Sequence, residues 1–442
     1  NPAFFCCKME WCFSIYIFEA IKKNNLKKVK MLIKEKKIDI NKADKDGYTP
    51  LFVACFKGHV NIAEELLKQP NIDVNKAPKS GFLKGITPLL AACDKGHVNI
   101  VKILLKHKNI KVNKTPKTGF FKGITPLFAA CDKDHVNIVK ALLRHKDIKV
   151  NKAPETSPNK GVTPLYAACF KGYVNIVKAL LKQPNIDVNK AGKHGTTPLH
   201  WACHKGHVNI VKKLLKQPNI DVNKTLESGP NKGITPLCTA CHKNHLEIVK
   251  ELLKHKDIKV NKAPESGPNK GITSLYAACR NSNFEMVKLL LKNGAQIDKK
   301  SKEEVAKKPK IKKYLDLVET YTKLKSDKER LDFVLKNRKD KDAFEFLVRF
   351  AFGQAIRDKS RSLNSLGFFK KLYKELDKNK LKQIFFERYR DDLSDFIKAV
   401  LKNEKNCFTF DKAKLKSIML SLKMEERKKK MEFEDIIIKT SK

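Results

Sequence analysis

The sequence predicts an all-α solenoid, a stack of helix-turn-helix units joined by hairpin loops, followed by a small helical C-terminal domain. A stretch that reads GITPLLAACDKGHVNIVKILLKH at residues 85–107 belongs to a set of seven near copies. Within each copy the apolar residues recur at helical spacing, so each helix has one apolar face. A single copy buries too little apolar surface to offset the entropy of ordering its backbone. Neighbouring copies must therefore pack on one another.

The first helix of each copy is predicted to begin at a threonine. This threonine recurs at intervals of 38 residues, with one interval of 34, which indicates a 34-residue unit with a four-residue insertion in most linkers. Proline follows it in six of the copies and serine in the seventh. We expect the hydroxyl to cap free backbone amides and the proline to occupy the first helical position. The threonines are Thr49, Thr87, Thr125, Thr163, Thr197, Thr235 and Thr273.

A tight turn is predicted between the two helices of each copy, at a position whose backbone must be left-handed. Glycine, asparagine and aspartate adopt that conformation most readily. Six of the seven copies have one of these residues there, and the last has serine. The turn residues are Gly58, Gly96, Asp134, Gly172, Gly206, Asn244 and Ser282. The second helix follows, with apolar residues at helical spacing such as Val98, Val101 and Leu104.

The pattern G-x-T-P-L-x-x-A-x-x-x-G-H-x-x-I-V-x-x-L-L resembles the ankyrin repeat over residues 47–298. The stretch FEAIKKNNLKKVKMLI from Phe18 resembles a degenerate N-terminal capping repeat. The resemblance implies a curved stack of antiparallel helix pairs with hairpin loops along one edge, used to bind proteins. The histidine that the family has after T-P-L is present only as His200, so the hydrogen bonding at this position is expected to differ in the other copies.

We divide the chain into five segments. They are an N-terminal segment at 1–12 that leaves open whether a targeting sequence precedes it, a degenerate capping repeat at 13–46, seven repeats at 47–298, a basic linker or frayed helix at 299–325, and a basic helical domain at 326–442. The helical domain is interpreted either as a second docking module or as a cap on the open end of the stack.

Candidate binding residues are the positions at which the copies differ. One of these positions directly follows a repeated cysteine, and a tryptophan, Trp201, replaces a small residue in one copy. The resemblance places the contact surface on the first helices and the loop tips. These residues therefore either contact a protein partner or vary without consequence. The set is Phe56, Asp94, Asp132, Phe170, Trp201, His204, His242 and Arg280.

Two of the linker insertions place aromatic and aliphatic side chains at predicted loop tips. The insertions read PKSGFLKG and PKTGFFKG, whereas later copies have the polar sequence PNKG. Exposed phenylalanine side chains are unfavourable in water unless something covers them. They are expected either to fold back on the adjacent tip or to bind a partner. The residues are Phe82, Leu83, Phe120 and Phe121.

The formal net charge of +46 suggests an alternative function, the binding of polyanions. One position of the second helix is lysine in six copies, which predicts a basic stripe along the outer face. The absence of interleaved aromatic residues and the use of lysine in place of arginine disfavour sequence-specific recognition of nucleic acid. Nonspecific nucleic acid or an acidic membrane surface remains the alternative partner. The stripe consists of Lys102, Lys140, Lys178, Lys212, Lys250 and Lys288.

Seven cysteines recur at one fixed place of the repeat, where they lie too far apart for disulfide bonds. Buried thiols and a cytoplasmic location follow, with a nuclear protein or an exported effector acting in another cell's cytosol as alternatives. The histidines of CHKGH and CHKNH, His207 and His245, occupy a framework position, so no metal site is expected. The cysteines are Cys55, Cys93, Cys131, Cys169, Cys203, Cys241 and Cys279.

The sequence has no glycine-rich phosphate loop, nucleophile elbow or paired carboxylates. We therefore expect no catalytic residue and no cofactor. The predicted function is that of a non-enzymatic, monomeric scaffold that binds a protein partner, with acidic proteins among the candidates.

Overall fold

The computed structural model describes residues 16–35, 39–154 and 160–357. Within these ranges all regular structure is helical, with twenty α-helices and two short 3₁₀ helices. The predicted all-α repeat architecture is thereby confirmed. The chain forms two compact units, Asn1–Ile258 with Pro264–Lys270 and Lys259–Ala263 with Gly271–Lys442. Residues 1–15, and the part of the expected C-terminal domain after residue 357, lie outside the described residues.

The first unit contains an opening helix pair and six copies of the repeat. Helices α1 (16–22) and α2 (Leu26–Lys34) form the opening pair. The six copies supply α3 (Pro50–Lys57), α4 (Val60–Leu67), α5 (Pro88–Lys95), α6 (Val98–Leu105), α7 (Pro126–Asp132), α8 (Val136–Leu143), α9 (Pro164–Lys171), α10 (Val174–Leu180), α11 (Pro198–Lys205), α12 (Val208–Leu214), α13 (Pro236–His242) and α14 (Leu246–Leu253).

Each first helix begins as the sequence predicts. The amide of Leu90 donates to the hydroxyl of Thr87 at 3.2 Å, and Pro88 is the first residue of α5. The same bond is present at all seven threonines. Six of them are buried, and Thr273 is partly buried. An N-cap of this kind stabilises a helix by about 1 kcal/mol.

All seven turn positions have the left-handed backbone. The φ angles are 85° at Gly58 and 81° at Gly96, and they stay positive at Asp134 (59°) and Asn244 (62°). Ser282 also adopts this conformation, with φ of 55°. The turn geometry therefore holds even where the residue type disfavours it, because the second helix must return against the first.

Neighbouring copies of the first unit pack helix against equivalent helix. Each first helix from α3 to α13 contacts the next first helix, and each second helix from α2 to α14 contacts the next second helix. Small side chains such as Ala92 and Cys93 are fully buried between the first helices. Ile100, Val101 and Leu104 are fully buried in α6, and equivalent residues are buried in the other copies. Complete burial of such a side chain contributes about 1.5–3 kcal/mol.

An asparagine in the linker of each copy bonds to the linker of the next. The Nδ2 of Asn75 donates to the carbonyl oxygen of Asn109 at 2.7 Å, and its Oδ1 accepts from the amide of Lys111 at 2.9 Å. The same two bonds recur in the first unit at Asn41, Asn113, Asn151 and Asn189. We call these residues the asparagine ladder. They satisfy backbone groups that have no partner within a regular helix.

The second unit contains the last copy and four further helices. The last copy supplies α15 (Ser274–Arg280) and α16 (Phe284–Lys292), and Asn261 forms ladder bonds to Gly294 and Gln296 within this unit. The further helices are α17 (Lys299–Val305), α18 (Pro309–Lys323), α19 (Asp327–Lys336) and α20 (Lys341–Arg357). Segment 299–325 was expected as a basic linker or frayed helix. Most of its residues lie in α17 and α18.

Helix α17 packs against α15. Asp298 caps α17 by accepting from the amide of Ser301 at 2.8 Å, and its other oxygen accepts from the hydroxyl of Thr273 at 2.8 Å. The ammonium group of Lys308 donates to the carbonyl oxygen of Cys279, also at 2.8 Å. Helix α18 packs through Tyr314, whose ring contacts those of Phe284 and Phe346 edge-on. The last copy is therefore covered by helices of its own unit.

Candidate functional site

The variable positions lie at the C-terminal ends of the first helices. Because these helices pack side by side in the first unit, Phe56, Asp94, Asp132, Phe170 and His204 lie on neighbouring helices. All five side chains are partly exposed. His242 ends α13 and is exposed, and Arg280 is exposed in the second unit. We call the surface formed by Phe56, Asp94, Asp132, Phe170, Trp201 and His204 the first-helix surface.

Lysines accompany this surface at its aromatic and acidic positions. The ammonium group of Lys95 lies 4.9 Å from the ring centre of Phe56. Asp94 pairs with Lys95 at 3.9 Å, and Asp132 pairs with Lys171 at 3.8 Å. Pairs this long and this exposed contribute little to stability. The lysines are therefore available to an anionic group of a partner.

Trp201 lies at the centre of an aromatic group. Its ring contacts the ring of Phe170 at 4.7 Å and that of His204 at 5.3 Å, and Tyr166 lies edge-on at 6.1 Å. The ammonium group of Lys205 lies 4.8 Å from the ring centre of Phe170. Desolvation, together with nearby Lys243, lowers the pKa of His204, which keeps the imidazole neutral at neutral pH. Lys95 and Lys205 were not predicted as part of this surface, although lysine directly follows the variable position in these copies.

The two aromatic loop tips divide into an inner and an outer layer. Leu83 and Phe121 pack against a buried cluster that includes Phe52, Leu90 and Phe128. Phe82 and Phe120 remain 70% and 72% exposed and stack on each other at 6.0 Å. The ring of Phe121 contacts both of them edge-on. Leu83 and Phe121 thus pack against the core, whereas Phe82 and Phe120 contact the adjacent tip and still project into solvent.

The lysine stripe is uneven in its charge environment. Lys212 pairs with Glu251 at 3.7 Å and Lys250 pairs with Glu247 at 2.7 Å. In the second unit, Lys288 pairs with Glu285 at 2.7 Å and lies over the ring of Phe284. Lys102, Lys140 and Lys178 are exposed on α6, α8 and α10, with no ion pair to another described residue. Among the six lysines of the stripe, these three are therefore the ones whose charge is not paired with a carboxylate of the described residues.

The histidine of the fifth copy differs from its equivalents as expected. The Nδ1 of His200 lies 2.8 Å from the hydroxyl of Thr197, and its Nε2 donates to the carbonyl oxygen of Ile234 at 3.2 Å. Burial lowers the pKa of His200 to about 4. The first three copies have Phe52, Leu90 and Phe128 at this position, and these buried apolar side chains have no polar atom that could form such bonds.

The turn histidines join adjacent copies. The Nε2 of His135 donates to the carbonyl oxygen of Asp94 at 3.3 Å, and His245 forms the same bond to His204. The imidazole of His245 in CHKNH thus has a structural role. The described part of the chain contains no group of three potential metal ligands.

The repeated cysteines are buried thiols. Cys55, Cys93, Cys131, Cys169 and Cys203 are fully buried, and desolvation raises the pKa of each thiol. No helix in the described ranges is long and apolar enough to cross a membrane.

Comparison with known families gives one result. The family described as ankyrin repeats (3 copies) matches the chain four times in succession, at residues 14–78, 76–154, 150–226 and 224–301. No curated protein matches the chain. Ankyrin repeats are generally protein–protein interaction modules and are typically non-enzymatic. These four matches cover well over half of the sequence, agree with the described helix pairs, and show that the chain belongs to the ankyrin repeat family.

Proposed function

We propose that this chain is a non-enzymatic scaffold that binds a protein partner through the first-helix surface. The observation that carries the proposal is the aromatic group around Trp201, which stays partly exposed between Phe170 and His204. The equivalent position in the other copies has Val53, Ala91, Ala129, Ala167, Thr239 and Ala277. Packing between copies therefore does not require a large side chain there.

The chemistry of the surface suggests the kind of partner. Tryptophan and tyrosine are enriched among the residues that dominate binding energy, since they bury a large area with few rotatable bonds. Lys95, Lys171 and Lys205 border the aromatic and acidic positions and are exposed. We expect a partner that places an apolar side chain against Trp201 and Phe170 and acidic side chains near the lysines.

The compartment and the oligomeric state are part of the same proposal. Thiols buried in the core suit a reducing compartment, and we assign the scaffold to the cytoplasm as a monomer. The alternative, binding of polyanions along the whole lysine stripe, receives less support because Lys212, Lys250 and Lys288 each pair with a glutamate.

The test compares Trp201→Ala with Met31→Ala in the full-length chain. Alanine is the residue that four other copies have at the Trp201 position, so the variant should keep its fold. Met31 is an exposed apolar residue of α2 that lies outside the first-helix surface, and it serves as the matched control. Proteins captured from cell extract are quantified by mass spectrometry, and the affinity of the leading protein is measured by calorimetry.

We expect Trp201→Ala to reduce the affinity at least tenfold and Met31→Ala to leave it unchanged. Near-ultraviolet circular dichroism and the melting midpoint verify that both variants are folded. A partner that binds folded Trp201→Ala as tightly as the wild type contradicts the proposal.

A further inference from the structure

We propose that the two aromatic loop tips form a second binding site, and that its ligand is an anionic lipid bilayer surface. The site, which we call the paired tip, consists of Phe82 and Phe120 with Lys79, Lys84, Lys117 and Lys122. It is separate from the first-helix surface and does not depend on the proposed function. The interaction is peripheral, with the two rings entering the interface and the lysines contacting lipid headgroups.

Closed turns hold the rings in place. The amide of Gly85 donates to the carbonyl oxygen of Pro78 at 2.8 Å, and Gly123 donates to Pro116 at 2.9 Å. Gly81 at the first tip has a φ of 74°, which glycine adopts without strain. Because Leu83 and Phe121 are fixed against the core, the outer rings project from a rigid base. The exposed rings thus belong to ordered structure and are still uncovered.

The charge around the rings has one sign. Lys79, Lys84, Lys117 and Lys122 are all exposed, and none of them pairs with an acidic side chain of the described residues. Neither tip sequence, PKSGFLKG or PKTGFFKG, contains an acidic residue. Four positive charges therefore surround two apolar rings.

Other copies of the same chain provide an internal comparison. At the position of Lys79 and Lys117 the sixth and seventh copies have Glu227 and Glu265. At the position of Phe82 and Phe120 the same copies have proline. The turns remain equivalent, since Gly229 and Gly267 also have positive φ, 81° and 82°. Aromatic rings and net positive charge therefore occur together in two adjacent tips and are absent together from the later ones, without a structural requirement for either.

This combination is what reversible binding to an anionic bilayer requires. One weak hydrophobic contact anchors a protein poorly, and a second, electrostatic contact makes the attachment effective. Each lysine near an anionic surface strengthens binding roughly fivefold. A bilayer accepts a projecting apolar group without a matching pocket. The interiors of protein interfaces, in contrast, are depleted in lysine.

Single-stranded nucleic acid is the nearest competing ligand, because it also binds lysine and aromatic residues. The rings of Phe82 and Phe120 stack with centres 6.0 Å apart, and the ring of Phe121 lies nearly perpendicular to both. That gap is narrower than the two stacking distances of about 3.4 Å that an inserted base needs. A base therefore cannot insert between the two rings, which makes the paired tip better suited to insertion among lipids than to sandwiching a base.

The experiment is sedimentation of the full-length chain with vesicles of phosphatidylcholine alone or with 30% phosphatidylserine, a fraction chosen at roughly the level of anionic cytoplasmic leaflets. The main variant combines Lys79→Glu, Phe82→Pro, Lys117→Glu and Phe120→Pro, which are the residues of the chain's own later tips. The matched control is Lys102→Glu with Lys140→Glu, which makes the same change in charge on the lysine stripe. Wild-type binding is expected only with the anionic lipid, and the main variant should bind at least tenfold more weakly than the control.

Insertion is measured separately. Phe120→Trp places a fluorophore in the paired tip, and Met31→Trp places one on α2. Lipids brominated on their acyl chains should quench the fluorescence added at position 120 and leave that added at position 31 unchanged. The proposal is overturned if the wild type fails to sediment with anionic vesicles at low salt, or if the control loses as much binding as the main variant. Tip-dependent binding of poly-uridylate without vesicle binding would identify a nucleic-acid site instead.

Discussion

Asn75 and Asn109 are 34 residues apart in sequence, and the side-chain amide of the first donates to the backbone carbonyl of the second at 2.7 Å. Asn75 is 7% exposed, so its two bonds form largely out of water. The bonds of this residue hold one linker against the next. Cohesion between copies therefore has a polar component beside the apolar one.

We predict that Asn75→Ala lowers the free energy of unfolding by about 2 kcal/mol, because two backbone groups at the ladder lose their partner. Urea denaturation followed by circular dichroism measures the change. Asn99→Ala is the control, since Asn99 is exposed in the first turn of α6 and its replacement should be neutral or slightly stabilising. Equal effects of both substitutions would show that the ladder bonds add nothing.

Gly96→Ala and Gly81→Ala separate backbone strain from steric collision. Both residues have positive φ, 81° and 74°, so each alanine is strained by about 1–2 kcal/mol. A Cβ on Gly96 would lie 2.7 Å from Cε1 of His135, whereas a Cβ on Gly81 has no heavy atom within 4 Å. We expect Gly96→Ala to cost about 1–2 kcal/mol more, as it displaces the imidazole that bonds to Asp94. Urea denaturation of both variants measures this additional loss of stability as the difference between their midpoints.

Stability should fall in mild acid through His200. Burial lowers the pKa of His200 to about 4 from 6.5 in the unfolded chain, so the unfolded state binds more protons between these values. The stabilisation is complete above pH 6.5 and is lost as the pH falls toward 4, by about 2 kcal/mol at pH 5. His200→Leu, which introduces the residue found at Leu90, should remove this component. The test measures the free energy of unfolding of the wild type and of His200→Leu at pH 7 and at pH 5. If the difference between the two proteins is the same at both pH values, the prediction is wrong.

Cys131 should be inert to thiol reagents in the folded protein. Desolvation, with a contribution from Asp132, raises the pKa of its thiol well above the ordinary value, and the side chain is fully buried. Because the thiolate is the reactive form, alkylation requires opening of the array. We expect peptide-resolved labelling by iodoacetamide at pH 8 to be at least a hundredfold slower than in urea. Rapid labelling of Cys131 under native conditions would show that the first helices separate readily.

Local chemistry made much of the fold predictable. Thr87 with Pro88 indicated the start of α5, and Gly96 indicated the turn, because each effect depends on a few neighbouring residues. Ser282 was the exception by residue type and still adopts the left-handed turn, since packing of the helix pair determines it. The bonds of Asn75 were not predicted, because both partners lie in the next copy. Recurrence of asparagine in every V-N-K linker was a signal that could have indicated them.

The candidate site was predictable only as a set of positions. Sequence differences located Phe170, Trp201 and His204, but their mutual ring contacts depend on how neighbouring first helices pack. The spacing of the tip residues did not indicate which of them would be exposed. Phe120 and Phe121 are adjacent in sequence, yet Phe120 projects into solvent and Phe121 packs against the core. Lys212 was assigned to a uniform stripe, and its pairing with Glu251 links residues of different copies.

The asparagine ladder also bears on how such a chain changes over evolutionary time. Each ladder asparagine binds backbone atoms, so the bond is indifferent to the side chains that the next copy contributes. Tandem duplication or loss of one whole unit within the gene would regenerate the same junction on both sides. Lineages could therefore lengthen, shorten or reorder the array and vary its tips without first evolving new means of joining the units.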